Sequence, residues 1–204
     1  MSTRRIWIKQ QLSLSMLAGI SLVASGTAMV LEPSMARAQN SVALLSTAAT
    51  DWLKSQAKNL AVLKGQYVFR FFGLEIYHAQ LWVDTQFNAT TFDKSSFALQ
   101  LLYSRNLSGE EIAKRSLQEI KKQSKISTQQ EQLWLEQMTK IFPDVKKGDH
   151  ITGVYTPSEK AVFFFNQKLL GELSDPELAK RFFGIWLSPL TTEPKMRLHL
   201  LGLN

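Results

Sequence analysis

Two arginines and two tyrosines carry the most suggestive chemistry in the chain: Arg70, Tyr77, Tyr103 and Arg105. All four fall within or beside runs rich in β-branched and aromatic residues, so adjacent strands would present them. A guanidinium beside a phenol is a sound anchor for an acid group. The first supplies charge and paired N–H donors, and the second a directional hydroxyl. Tyr77 or Tyr103 could instead serve as the general acid of an isomerase or intramolecular lyase. A plainer reading stands beside both: strand arginines are commonly surface cations, and strand tyrosines commonly keep the ring half-buried with the hydroxyl at the rim.

Other chemistries find less support. His78, His150 and His199 lack the i, i+4 or short-loop spacing of a metal site, so neither a metal nor another cofactor is expected. The chain has no cysteine, which excludes thiol nucleophiles and thiolate ligands and leaves the fold to packing. There is no Gly-x-Ser-x-Gly elbow, His-Glu-x-x-His pair or phosphate loop. Asp144 and Asp149 flank Lys146-Lys147-Gly148. Between a helix and a strand they read as capping carboxylates rather than an acid pair.

The elements that must position these residues are legible. Tyr67 to Phe72 and Leu74 to Val83 read as paired strands around Gly73, and Phe97 to Tyr103 as a third, apolar enough to be central or covered on both faces. Ser108-Gly-Glu-Glu111 is a capping box opening one helix, and Thr128 with Glu131 suggests another that ends at Phe142-Pro143. Asp149 to Tyr155, Ala161 to Phe165 and Lys168 to Leu173 form a meander. Its three consecutive phenylalanines cannot share one face of a period-2 strand, so helices must pack on the sheet. Asp175-Pro176 starts a helix whose lines Leu178, Phe182, Ile185 and Ala179, Phe183, Trp186 read as core packing, and Pro194 to Leu201 forms a last helix capped by Gly202. Phe163, Phe165, Phe183 and Trp186 are the expected core or cleft-lining residues.

Residues 1–38 read as a secretory signal: a basic start, a Gly/Ser-diluted apolar run from Leu12 to Leu31, and Ala36-Arg37-Ala38 as the cleavage triplet. Arg4-Arg5 with Trp7 and Ile8 fits twin-arginine export, an ordinary signal being the other possibility. Residues 39–59 are expected to be a lead-in with a short helix near Asp51 to Lys58, and residues 60–204 the single domain. The formal charge is +7. The leader would remove four basic residues and one acidic one, leaving a mildly basic, exported, periplasmic protein. Lys121, Lys122 and Lys125 read as a solvated helix face, with no nucleic-acid partner expected and no transmembrane segment in the mature chain.

Seven segments together carry a family likeness: Gly73-Leu-x-Ile-Tyr77-x-Ala-x-Leu81-Trp, Leu102-Tyr-Ser-Arg105-x-Leu-Ser-Gly109, Phe142-Pro-Asp144, Lys147-Gly-Asp149, Asp175-Pro176, Phe183-Gly-Ile-Trp-Leu187 and Pro194-x-x-Arg197-x-x-Leu-Leu-Gly202. They resemble the bacterial chalcone isomerase-like family. The resemblance implies an α+β open-faced β-sandwich, a long antiparallel sheet with a layer of helices on one face and a ligand cleft between them. The plant enzymes of this family cyclise a chalcone with an Arg, a Thr, a Tyr and an Asn, but the matching positions here read near Gly65, Tyr77, Ile112 and Glu119. Arg70 lies five residues from the Arg position, an odd displacement that turns a strand residue to the other face. Fatty-acid-binding members of the wider family hold a carboxylate with an Arg and a Tyr, which suits this chain better. The expectation is a non-catalytic binder of a small amphipathic, fatty-acid-like molecule, weakened by changes at Arg70 or Arg105. The alternatives are an isomerase of the same fold, or an interaction module whose cleft is plugged by the aromatic residues named above.

Overall fold

The computed structural model describes Leu60 and residues 62–203; the expected signal and the helix near Asp51 to Lys58 lie outside the described residues. Six antiparallel strands pair in sequence order: β1 (Val62–Phe71), β2 (Leu74–Val83), β3 (Phe97–Tyr103), β4 (His150–Tyr155), β5 (Ala161–Phe165) and β6 (Lys168–Leu173). The four described α-helices are α1 (Gly109–Gln123), α2 (Thr128–Ile141), α3 (Pro176–Leu187) and α4 (Pro194–Leu201). A short 3-10 helix, Ala89–Lys94, links β2 to β3. The α-helices cover one face of the sheet, as the expected open-faced architecture requires.

Although β3 and β4 are neighbours, α1 and α2 intervene between them in the chain. An antiparallel return demands that the helical hairpin leave and re-enter at one end of the sheet. A two-hydrogen-bond bridge between Leu107 and Val145 ties the exit to the re-entry. Gly109 sits where a Cβ would fall 1.9 Å from the Phe142 carbonyl oxygen, so only glycine allows the two ends to meet. The Gly109 N–H donates to Asp144 Oδ1 at 2.9 Å, and Asp149 accepts from the Lys146 N–H at 2.8 Å and from Asn166 Nδ2 at 2.9 Å. Both aspartates are therefore the turn carboxylates expected from their positions.

Local signals explain the helix starts. Ser108 and Glu111 form the expected reciprocal box at α1. At α2 the box is Ser127 with Gln130, one residue before the expected Thr128 and Glu131, because a glutamine side chain returns to the cap N–H as well as a glutamate does. Asp175 caps α3 through Glu177 and Leu178 N–H and also accepts from Trp134 Nε1 at 2.8 Å, linking α2 to α3. Gly202, in the left-handed region at φ 62°, closes α4.

Between sheet and helices lies an aromatic pack. Phe163 stacks parallel to Phe183 at 6.2 Å, Phe97 meets Phe183 edge-on at 5.0 Å, and Phe142 and Phe182 close the same group. Phe163 and Phe183 are almost wholly buried, and Phe165 packs half-buried at the margin. Gly153 on β4 faces this pack, and a Cβ there would lie 2.8 Å from a Phe183 ring carbon and 2.9 Å from one of Phe163. On the opposite face, Trp82, Ala98 and Leu60 form a smaller cluster, and Gln100 Nε2 donates to Thr152 Oγ1 at 3.1 Å as a buried cross-strand pair. β3 is thus covered on both sides, as its apolar sequence implies.

Two hairpins turn at the same end of the sheet with positive φ at both loop residues: Phe72 (49°) with Gly73 (78°), and Asn166 (47°) with Gln167 (70°). This is type I′ geometry, which favours Asn-Gly. Asn166 suits it and accepts from the His150 N–H at 2.9 Å. Phe72 does not, and its left-handed conformation costs about 1 kcal/mol.

Replacing Gly153 with Val should destabilise the protein by about 2 kcal/mol, because the aromatic rings on both sides must shift to admit the side chain. Urea unfolding monitored by near-UV dichroism measures this, and an unchanged midpoint would contradict the tight packing.

Candidate functional site

At the β1–β3 side of the sheet the interface between layers changes character, from rings alone to rings with polar ends. Tyr77 on β2 and Tyr103 on β3 are direct cross-strand partners with ring centroids 6.2 Å apart. Phe69 on β1 stacks on Tyr77 at 5.1 Å. From above, Trp186 on α3 donates its Nε1–H to Tyr77 Oη at 3.1 Å, and Met196 on α4 brings its thioether sulfur to 3.9 Å. A thioether is a weak acceptor. The Tyr77 hydroxyl proton is therefore poorly used, and the Tyr103 hydroxyl has no hydrogen-bond partner among the described residues.

Burial pushes both phenols well above the usual tyrosine range. At Tyr77 burial dominates; the Trp186 hydrogen bond works against it, and Glu193, Arg115 and Glu119 act as smaller opposing charges. At Tyr103 burial again leads, with Tyr77 adding to it. Both hydroxyls stay protonated, so they are donors rather than bases.

Near this pair α1 carries an ionic cluster centred on the buried Glu119, with its two cations reaching solvent. The Glu119 carboxylate takes Arg115 Nη2 at 2.6 Å and Lys122 Nζ at 2.7 Å on one oxygen, and accepts from Thr192 Oγ1 at 2.7 Å on the other. Thr192 belongs to the α3–α4 connection, so Glu119 fastens that loop to α1. Further on, Arg197 Nε donates to the Leu187 carbonyl at 2.9 Å, satisfying the end of α3. Arg115 is a site residue that sequence reading missed, and Glu119 was marked only as the residue at the enzymes' asparagine position, although their i, i+4 spacing on one helix face was visible.

The four candidate ligand residues divide. Tyr77 and Tyr103 come together facing the helices. Arg70 points to the other face, where it is exposed and pairs with Glu75 at 3.0 Å, as the parity of a strand requires. Glu75 also meets His78 Nε2 at 2.5 Å and accepts from Ser104 Oγ at 3.1 Å; these contacts, His78 first, hold its carboxyl below the ordinary range against the effect of burial. Arg105 is exposed beyond the end of β3. Of the aromatic candidates, Trp186 belongs to the tyrosine seat, whereas Phe163, Phe165 and Phe183 belong to the ring pack. The histidines are dispersed: His78 on the far face, His150 on β4 with a buried Nε2 that lacks a partner, and His199 against the Tyr67 ring at 5.1 Å. Among the described residues no group of three or more His, Cys, Asp or Glu side chains could hold a metal ion.

The sequence profile described as "Chalcone isomerase-like" matches residues 42–202, most of the chain. The chain belongs to the chalcone isomerase-like family. A solved relative in fold, a fatty-acid binding protein of Arabidopsis thaliana, superposes with a TM-score of 0.54 at 11% identity over 68% of this chain and 85% of that one. An uncharacterized protein of Haemophilus influenzae is 30% identical over 104 residues, 51% of this chain, which spans about half of that relative's length (50%).

Within the chalcone isomerase-like frame, the position that the resemblance assigns to the enzymes' arginine falls near Gly65, and α4 crosses directly over it. A Cβ at Gly65 would lie 2.0 Å from the His199 carbonyl oxygen and 2.6 Å from that of Leu200. No side chain fits there while α4 is in place. By the same resemblance Tyr77 stands at the threonine position and Glu119 at the asparagine position.

In a spectrophotometric alkaline titration, Tyr77 and Tyr103 should remain un-ionised at about pH 11, above the usual tyrosine value. The tyrosinate absorbance should rise by the missing fraction only on unfolding. Full ionisation of all four tyrosines in the folded state would contradict the burial.

Proposed function

We propose that this member of the family is exported to the periplasm and is there a non-catalytic binder of a small amphipathic molecule with a fatty-acid-like head. The carrying observation is the Tyr77–Tyr103 pair: two protonated phenols, one with its proton directed at a thioether sulfur and the other without a hydrogen-bond partner among the described residues. A carboxyl or carbonyl oxygen would satisfy both hydroxyls better than anything now beside them. Arg115, near enough to favour the ionised form of Tyr77, supplies the cation that Arg70 and Arg105 do not bring to this face. The fold shared with a plant fatty-acid binding protein supports the same reading.

An isomerase reading fits less well. A tyrosine that releases its proton in the reaction needs a pKa nearer the working pH, and burial moves both phenols the other way. The interaction-module reading draws on the ring pack, which fills the sheet–helix interface around Phe163 and Phe183. Only the tyrosine side would then distinguish a binder from a plugged fold.

Titration with palmitate, followed by Trp186 emission and by native mass spectrometry, should give saturable one-to-one binding. Tyr77→Phe and Tyr103→Phe should each weaken it about tenfold, the worth of one hydrogen bond to a charged group, while Arg70→Ala leaves it unchanged. Binding absent in the wild type, or indifferent to both tyrosine changes, would refute the assignment.

A further inference from the structure

The β1–β2 hairpin ends in a wedge that the fold does not need. Phe72 is 64% exposed, its ring set edge-on against Phe71 at 4.6 Å, and Leu74 beside it is 44% exposed. The matching β5–β6 turn has the same left-handed backbone at both loop residues and fills it with Asn166 and Gln167. Turn chemistry therefore does not ask for phenylalanine. At this position the ring opposes the backbone's preference and gains little from burial.

The surroundings give the wedge a partner. Antiparallel order places the β3 exit, the β4 entry and the β5–β6 turn at the same end of the sheet as Phe72. Arg70, Arg105, Lys146, Lys147 and Lys168 are all exposed there, together with Leu169 at 68%. Of the carboxylates nearby, Glu75 pairs with Arg70 and His78, while Asp144 and Asp149 keep their charge and are tied to the Gly109 N–H, the Lys146 N–H and Asn166. At the adjoining start of α1, Glu110 pairs with Lys114 and Glu111 closes the capping box. Four cations outside any salt bridge among the described residues, beside exposed phenylalanine and leucine, are the composition of a surface that settles into an anionic lipid interface.

We infer that this end of the sheet docks on anionic bilayers, with Phe72 and Leu74 entering the headgroup region and Arg105, Lys146, Lys147 and Lys168 lying against lipid phosphates. This goes beyond ligand binding and does not depend on it. Tyr77 and Tyr103 stand a few residues inside the same strand ends, so docking would present the tyrosine seat to the lipid surface.

Co-sedimentation of the full chain with phosphatidylglycerol-rich vesicles, against phosphatidylcholine vesicles, tests the inference. Binding should favour the anionic vesicles and fall as salt is raised. Phe72→Asn, which suits the turn, should reduce it about tenfold through loss of a buried ring while melting at the same or a higher temperature. Lys146→Glu with Lys147→Glu should weaken it about tenfold or more and flatten the salt dependence. No preference for anionic vesicles, full binding by Phe72→Asn, or a solution dimer that Phe72→Asn dissociates would each overturn the inference. The last would make the tip a contact between copies of the chain.

Discussion

The structure depends on the pinch where the helical hairpin leaves and rejoins the sheet. Leu107 and Val145 exchange backbone hydrogen bonds, and Gly109 lets the start of α1 touch the end of α2. With those ends joined, α1 lies over the sheet and α2 returns beside it. Glu119 and Arg115 consequently stand over the side of the sheet where Tyr77 and Tyr103 face up. Without the pinch neither the ring pack nor the ionic cluster would have a fixed opposite wall.

The two halves of the layer interface divide stability and recognition between them. Around Phe163, Phe182 and Phe183 the rings meet edge and face in an arrangement tight enough that β4 must offer a glycine. Dispersion and burial dominate there, the Tyr155 hydroxyl at its edge donating to the Asp93 carbonyl. Toward β1 the same layers enclose hydroxyls, an indole N–H and a sulfur, groups that gain from the right visitor. Glu119 keeps the roof of that side closed by satisfying its carboxylate from two helix cations and one loop hydroxyl.

Much of this was legible in the chain. Alternation gave the strands, the serine and aspartate caps gave the starts of α1 and α3, and the three phenylalanines of β5 required a covering layer. The odd spacing between Gly65 and Arg70 bears on the face Arg70 takes, but the expected Arg70–Tyr77 anchor does not form, because Arg70 pairs with Glu75 on the far face. What sequence could not supply were meetings between distant segments. Arg115 carried no signal, and Glu119 stood out only by the resemblance, because their importance comes from Thr192, 73 residues beyond Glu119. Gly65 read as a missing arginine, yet its role is to admit the α4 backbone. The start of α2 shifted by one residue because Ser127 and Thr128 are equally good caps by type, and only Gln130 decided between them.

The irregularities of the ladder fall in a telling place. Register slips occur twice in the β1–β2 pairing, leaving Lys64 on β1 and Ile76 on β2 without partners, and once in the β5–β6 pairing, leaving Leu170 on β6, while the three central pairings run without a break. Among the described residues the meander has two rims of amides and carbonyls that could recruit a strand from another molecule. A kink in each rim, with Lys168 and Glu172 on the shorter one, spoils the straight template such growth needs. A cysteine-free sheet thus carries its protection against fibril-like stacking in its own outermost strands.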